Sequence, residues 1–304
     1  MKSPILVVAG QELRTARTNR LAMLLICIFI GMVLVSGFIG WVTHHTVTSV
    51  YREALREGAT SAPDPFAAQH PFDLIKNTVI YVVLIGALSA ILLGVQSTVG
   101  DRKAGVIDLL FSRPVSMRQY VAGKLLGIQC LTGFILALAA LISWTVIFLI
   151  RGQMLSIGET GVLIGFFTLA WLFLLPFSAL GFILGAVSRR ETSALLVPIL
   201  AWVLLVFVIP QLGTAEHPVS LLNPVPAQVV SRGPFFSFNR RVLQPVSVTD
   251  QFKNASAGLL GLKAEAGRQP DIYDWLSLAG IAAFSCGAAI FVIRREVMRR
   301  PFYE

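Results

Sequence analysis

Gly100-Asp101-Arg102-Lys103-Ala104-Gly105-Val106-Ile107-Asp108-Leu109-Leu110-Phe111-Ser112-Arg113-Pro114-Val115-Ser116 lies between two long apolar runs. The charged island continues to Lys124 and carries Arg102, Lys103, Arg113, Arg118 and Lys124. A connection between packed helices usually takes about 2–8 residues, and this one is far longer. Its apolar residues recur at helical spacing and Pro114 stops the pattern. It reads as a docking element on a membrane surface rather than a simple turn.

Composition sets the class around it. Hydrophobic residues make up 55% of the 304, charged residues 13%, and mean hydropathy is +0.75. A soluble domain carries roughly 25% charged residues. The apolar residues gather in six runs near the ~20 residues that a bilayer-crossing helix needs: Leu21–Thr43, Asn77–Val99, Leu125–Ile150, Thr160–Val187, Ser193–Ile209 and Trp275–Ile293. None has an ionisable carboxylate, amine, guanidinium or imidazole in its interior, where one charge costs about 2.5–3.5 kcal/mol. Core helices of a soluble protein are shorter and keep a polar stripe. The expectation is an all-α integral membrane protein with six transmembrane helices.

Lys and Arg orient it. Lys2, Arg14, Arg17 and Arg20 precede the first span, the island separates the second and third, Arg189 and Arg190 separate the fourth and fifth, and Arg294, Arg295, Arg299 and Arg300 follow the last. Six crossings put all of these on one face. The short loops opposite hold only Arg52, Arg56, Lys76 and Arg151. The positive-inside bias therefore predicts cytoplasmic N- and C-termini. The net charge of +9 is mostly this topology signal, and basic residues bordering spans do not form a nucleic-acid face. The first apolar run is too long for a signal-peptide core and reads as an uncleaved span. Cys27, Cys130 and Cys286 lie in apolar runs and read as small packing residues.

The remaining segments divide as follows. Residues 1–20 form a cytoplasmic interfacial helix, 21–293 the six-span domain, and 294–304 a basic cytoplasmic tail. In Ile5–Arg20, Ile5, Val8 and Leu13 can face lipid while Glu12, Arg14, Arg17 and Arg20 face water; a basic flank that merely anchors the first span is the alternative. Val47–Glu57 extends the first span as a helix ended by Gly58. Pro176 and Pro198 predict kinks. The outer segment, 211–274, is rich in Pro and holds one short helix near Gln251–Ala266, with Asp250 as a possible N-cap. Gly123/Gly127, Gly161/Gly165 and Gly181/Gly185 permit close helix packing, within one chain or between copies. His44, His45, His70 and His217 lack metal-ligand spacing. Asn254-Ala255-Ser256 fits a glycosylation triplet that is frequent by chance. Phe235-Phe236-Ser237-Phe238, flanked by arginines, reads either as an interfacial anchor or as a packed loop core.

Within the island, Ala104–Phe111 makes two helical turns that put Val106, Leu109 and Leu110 on one face. Asp101 near the start suits the helix dipole. Arg113 before Pro114 is biased out of helix, and Ser116 with Gln119 forms a capping-box pattern that opens the third span. The coupling element is thus bounded at 101–113.

Gly100-Asp101, Gly105, Leu109-Leu110, Arg113-Pro114-Val115-Ser116 and Gly123-Lys124 resemble the corresponding segment of ABC-2 type transporter permeases. Gln11-Glu12-Leu13, Arg17 and Asn19-Arg20 are similar to that family's interfacial helix. Leu221-Leu222-Asn223-Pro224 resembles the branch with the membrane subunit of the nitrous-oxide-reductase maturation transporter. Arg102 and Lys103 depart from it, standing where many members have a second acidic residue, as does Val106 where Thr is common. The resemblance implies a type V exporter-like permease in the plasma membrane, in a bacterium the inner membrane. It implies two ABC ATPase subunits, a second copy or a paralogous permease, surrounding lipid, and an extracytoplasmic accessory protein as a further partner. Asp101, Gly105, Val106, Asp108, Leu109, Leu110, Arg113 and Pro114 would couple to the ATPase, and Glu12, Arg17 and Arg20 would belong to the interfacial helix. No cofactor is expected in this chain; ATP and Mg would sit on the partner. Indeed no G-x-x-x-x-G-K-[ST] phosphate loop occurs in it, nor the intramembrane carboxylates or histidines of ion-coupled pumps. A non-catalytic subunit that couples ATP hydrolysis elsewhere to export follows. A mechanotransmission or anchor subunit that moves no substrate is the first alternative, and an intramembrane enzyme the second.

Overall fold

The computed structural model describes residues 3–59, 61, 71–103, 105, 116–214, 233–243, 246–262 and 272–293. They form α1 (Pro4–Thr18), α2 (Arg20–Arg56), α3 (Asn77–Lys103), α4 (Met117–Arg151), α5 (Ile157–Val187), α6 (Glu191–Leu212), α7 (Pro234–Leu243), α8 (Val248–Leu259) and α9 (Ile272–Val292), with no strand among the described residues. Six of these, α2, α3, α4, α5, α6 and α9, are long and apolar enough to cross a membrane. Each covers one of the six apolar runs, so the six-span reading holds. The predicted extension of the first span is continuous with it: α2 runs unbroken to Arg56, and Gly58 follows with φ 69°.

Helices α3 and α5 carry the interior. Val79, Val82, Val83, Ala87, Ala90 and Ile91 on α3 are fully buried, as are Phe166, Leu169, Phe173 and Phe177 on α5 or nearly so. The two backbones cross where both have glycine. A Cβ on Gly94 would overlap the Ser178 carbonyl oxygen, and one on Gly181 would overlap that of Ile91. Small residues let helices approach this closely, and dispersion over the shortened gap replaces the hydrophobic drive that lipid cannot supply. The Gly181/Gly185 pair therefore serves packing within the chain. The other spans surround this pair and turn apolar side chains outward, including Phe38 on α2, Phe134 on α4, Leu200 on α6, and Phe284 and Phe291 on α9. Cys27 and Cys130 share these outward surfaces instead of packing inside.

The helix ends are chemically specified. Ser116 Oγ accepts from the Gln119 N–H at 3.3 Å while the Ser116 N–H donates to Gln119 Oε1 at 3.0 Å, so the predicted capping box opens α4. A second box, Ser156 with Glu159, opens α5 three residues before the expected start at Thr160. Glu159 also pairs with Arg151 at 2.8 Å and closes the turn from α4, where Gly152 takes φ 65°. Pro176 and Pro198 both lie inside their helices. Downstream of Pro198, Leu204–Val208 widens to a π-type turn, and a second such turn occupies Val82–Gly86.

The segment expected to lie outside the spans is partly built into them. In α8, Thr249, Phe252, Ala255 and Ser256 are buried. Phe252 stacks on Phe173 with centroids 4.4 Å apart, and Thr249 Oγ1 donates to the Leu205 carbonyl in the widened turn of α6 at 3.4 Å. Phe173 lies sixteen residues beyond Ile157, about 24 Å along α5 at 1.5 Å per residue. So α8 re-enters the bundle. Its N-cap is Ser247, whose side chain accepts from the Asp250 N–H, which corrects the assignment of that role to Asp250. Of the glycosylation triplet, Ala255 and Ser256 are buried and Asn254 is half-buried. The Phe235–Phe238 stretch is helical, in α7, with Phe235 and Phe238 exposed as an anchor requires. His44 and His45 lie in α2; His70, His217 and the tail 294–304 lie outside the described residues.

The α3–α5 crossing yields a direct expectation. Gly181→Leu should destabilise the purified chain by about 1–3 kcal/mol or more, the cost of overpacking a fitted contact. Gly161→Leu should be tolerated, because nothing lies within 4 Å of a Cβ there. Thermal unfolding of both variants in one detergent makes the comparison.

Candidate functional site

The island leaves and rejoins the bundle at a single buried cluster. Asp101 stands in the last turn of α3, while Tyr120 and Lys124 stand one turn apart at the start of α4. Lys124 Nζ lies 2.7 Å from Asp101 Oδ2 and 2.6 Å from Glu12 Oε2 of α1, and it donates to the Ser97 carbonyl at 3.4 Å. Three acceptors match the three donors of an ammonium group. The Tyr120 hydroxyl donates to Asp101 Oδ2 at 2.7 Å, and its ring centroid is 5.8 Å from Nζ. Lys124 and Tyr120 are each only 1% exposed. Phe182 of α5, 6.5 Å from the Tyr120 ring, closes the apolar side.

Helix α1 is seated here by backbone contact as well as charge. A Cβ on Gly123 would come within 2.7 Å of Val8 Cβ, and one on Gly127 within 2.7 Å of Glu12 Cβ. The Gly123/Gly127 pair is thus the groove for α1, not a surface between copies. This corrects two expectations. Val8 faces α4 rather than lipid, and Glu12 is buried against Lys124 rather than solvated; the exposed apolar residues of α1 are Leu6 and Val7. Arg14, Arg17 and Arg20 are exposed as expected, but α1 ends at Thr18 and Arg20 opens α2 instead of belonging to the interfacial helix. The sharp turn from α1 to α2 is fixed by Asn19. Its side chain accepts from the N–H groups of Leu21 and Ala22 at 3.0 and 3.3 Å and donates to Gln96 of α3.

Two residues beside Asp101 fasten α3 to other helices. Arg102 donates to the Ser188 carbonyl at 2.8 Å and to that of Ala186, satisfying carbonyls that the end of α5 leaves unpaired. Lys103 pairs with Glu191 in the first turn of α6; that exposed pair contributes little, about 0–1 kcal/mol. Arg102 and Lys103 also suit the negative end of the α3 dipole, whereas Asp101 there opposes it. Asp101 was expected in the first turn of the island helix. Instead it ends α3, and Lys124 offsets the unfavourable placement. Gly105, with φ 62°, then turns the chain away, its N–H bonded to the Arg102 carbonyl at 3.3 Å. Val106, Asp108, Leu109, Leu110, Arg113 and Pro114 lie outside the described residues.

Sequence reasoning treated Lys124 as half of a Gly-Lys motif and a basic flank. The signal that it is a buried partner was Glu12, the lone acidic residue in a basic N-terminal segment, together with Asp101 beside an apolar run. The Lys124 ammonium is fully engaged by Glu12, Asp101 and the Ser97 carbonyl, and the Tyr120 hydroxyl by Asp101, so the cluster is built to hold rather than to react. A family model described as ABC-2 family transporter protein matches residues 6–286, from α1 into α9.

The chain belongs to the ABC-2 transporter family. It is a multi-pass membrane protein and a non-catalytic permease subunit of an ABC transporter. A search of curated proteins found no match.

The cluster can be tested by charge balance. Removing one member of a buried ion pair costs about 3–5 kcal/mol, because the remaining charge is stranded, while neutralising the whole set is far milder. Lys124→Met alone should therefore lower the melting temperature of the purified subunit markedly. The triple variant Glu12→Gln/Asp101→Asn/Lys124→Met should recover most of the loss in the same thermal assay.

Proposed function

We propose that this subunit converts ATP hydrolysis by two separate ABC ATPase subunits into export, and that residues 101–113 receive the stroke. The observation that carries this reading is the Asp101–Lys124 contact, which ties the two ends of the island together at 2.7 Å. A push on the island would be delivered at once to α3 and α4, to α1 through Glu12, and to α5 through Arg102. The positive-inside asymmetry supports cytoplasmic termini and a cytoplasmic ATPase, with the inner membrane of a bacterium as the site. ATP and Mg belong to the partner, since the chain has no phosphate-binding loop. The Leu221–Pro224 stretch supports the branch related to the nitrous-oxide-reductase maturation transporter.

The pathway is read as lying between two such chains, this one with a second copy or a paralogue. One interior cavity, among Leu25, Phe29, Gly86, Leu136 and Leu174, holds about 20 Å³, room for a single water. The outward apolar faces suit a seam or a lipid boundary, and their lack of fixed charge fits a hydrophobic or bulky cargo better than an ion. Asp108→Lys or Leu109→Glu should leave the chain inserted and folded but abolish its stimulation of the partner ATPase and its copurification. Normal values for both variants would remove the coupling assignment.

A further inference from the structure

Beside the ion cluster, α1, α2 and α4 enclose a cleft of about 670 Å³. That volume lies within the ~300–1,000 Å³ of small-molecule sites. Its walls are apolar and come from two membrane spans: Met23 and Ile26 of α2, Cys130 and Phe134 of α4. Its polar groups come from α1 alone, namely Arg14 and Arg17, which are exposed and one helical turn apart. No acidic side chain among the described residues lines it. The nearest carboxylate on α1, Glu12, is taken by Lys124, so the cleft keeps two positive charges above a hydrocarbon-like wall. Neither arginine forms an ion pair among the described residues.

We infer that this cleft binds an anionic phospholipid of the surrounding bilayer. The phosphate sits between Arg14 and Arg17, and one acyl chain lies along Met23, Ile26, Cys130 and Phe134. Charge complementarity selects this occupant. Guanidinium groups hold phosphate oxygens through paired charge-assisted hydrogen bonds, while a zwitterionic headgroup brings its own cation against them. A second copy of the chain docked face to face would oppose arginine with arginine. The lipid would fasten α1 to the bilayer, as Glu12 fastens it to α4. The inference does not depend on what the transporter moves.

The test uses the purified full-length chain and native mass spectrometry, with phosphatidylglycerol and phosphatidylcholine of identical acyl chains. Phosphatidylglycerol should be retained preferentially. Arg14→Gln/Arg17→Gln should lower that preference about 30-fold, from roughly 1 kcal/mol for each arginine near a lipid surface. Arg118→Gln/Arg190→Gln, which removes exposed arginines outside the cleft, should leave it unchanged. Cys130→Trp, which narrows the wall, should reduce retention of both lipids. Both arginines are exposed, so their loss leaves folding intact, and an unchanged melting temperature verifies this. Equal retention of the two lipids, or a preference that survives the double variant, would overturn the inference. So would displacement by inorganic phosphate as readily as by phosphatidylglycerol, which means a headgroup site without a chain. A Cys130–Cys130 disulfide between copies in the membrane would assign the cleft to a second chain instead.

Discussion

Burying Lys124 obliges the structure to bring two carboxylates to it. An isolated ammonium at 1% exposure is untenable, and neither Asp101 nor Glu12 is a neighbour of Lys124 in sequence. The end of α3, the start of α4 and the middle of α1 must therefore meet at one point. Once they do, α1 is committed to the groove at Gly123 and Gly127, and the two ends of the island are held together. A hydrophobic replacement of similar volume could hold the same elements together as strongly. What the ionic version adds is register. Glu12, Asp101 and the Ser97 carbonyl must all reach Lys124 Nζ, so the rotation of α1 and the position of the α3 end are set together.

That junction rests on a rigid spine. Gly94 and Gly181 let α3 and α5 cross at backbone contact, and Arg102 ties the end of the same α3 helix to the end of α5. Three consecutive residues, Asp101, Arg102 and Lys103, thus join one helical turn to α1 and α4, to α5, and to α6. Halfway along α5, α8 lies against it through the Phe252–Phe173 stack. The widened turns at Val82–Gly86 and Leu204–Val208 fall on the helices beside it, and such turns are recurrent sites of adjustment in helices.

The spans were legible because a bilayer imposes a strong one-dimensional constraint. Apolar length and the exclusion of charge mark them without any knowledge of contacts. The capping box at Ser116 and the Gly58 stop were legible for a similar reason, since both are local hydrogen-bonding or dihedral signals. The ion cluster was not, because Glu12 and Lys124 are 112 residues apart and each has a plausible local explanation, a wet face for one and a basic flank for the other. Helix α8 was half legible. Its existence showed in the pattern, but its burial depends on Phe252 finding Phe173, which no periodicity reveals. Arg102 and Lys103 looked like departures from a family pattern until their partners, the Ala186 and Ser188 carbonyls and Glu191, gave each a specific task.

With Lys124 paired to Glu12 and Asp101, α1, the end of α3 and the start of α4 are expected to move as one body. Spin labels at Thr15→Cys and Arg118→Cys, both exposed sites on α1 and α4, measure this by pulsed electron resonance in the assembled transporter, with Cys27, Cys130 and Cys286 replaced by Ala. A single narrow distance, the same with and without ATP and broadened only by Lys124→Met, is the predicted result. A distance that shifts between nucleotide states while Lys124 is intact would contradict it.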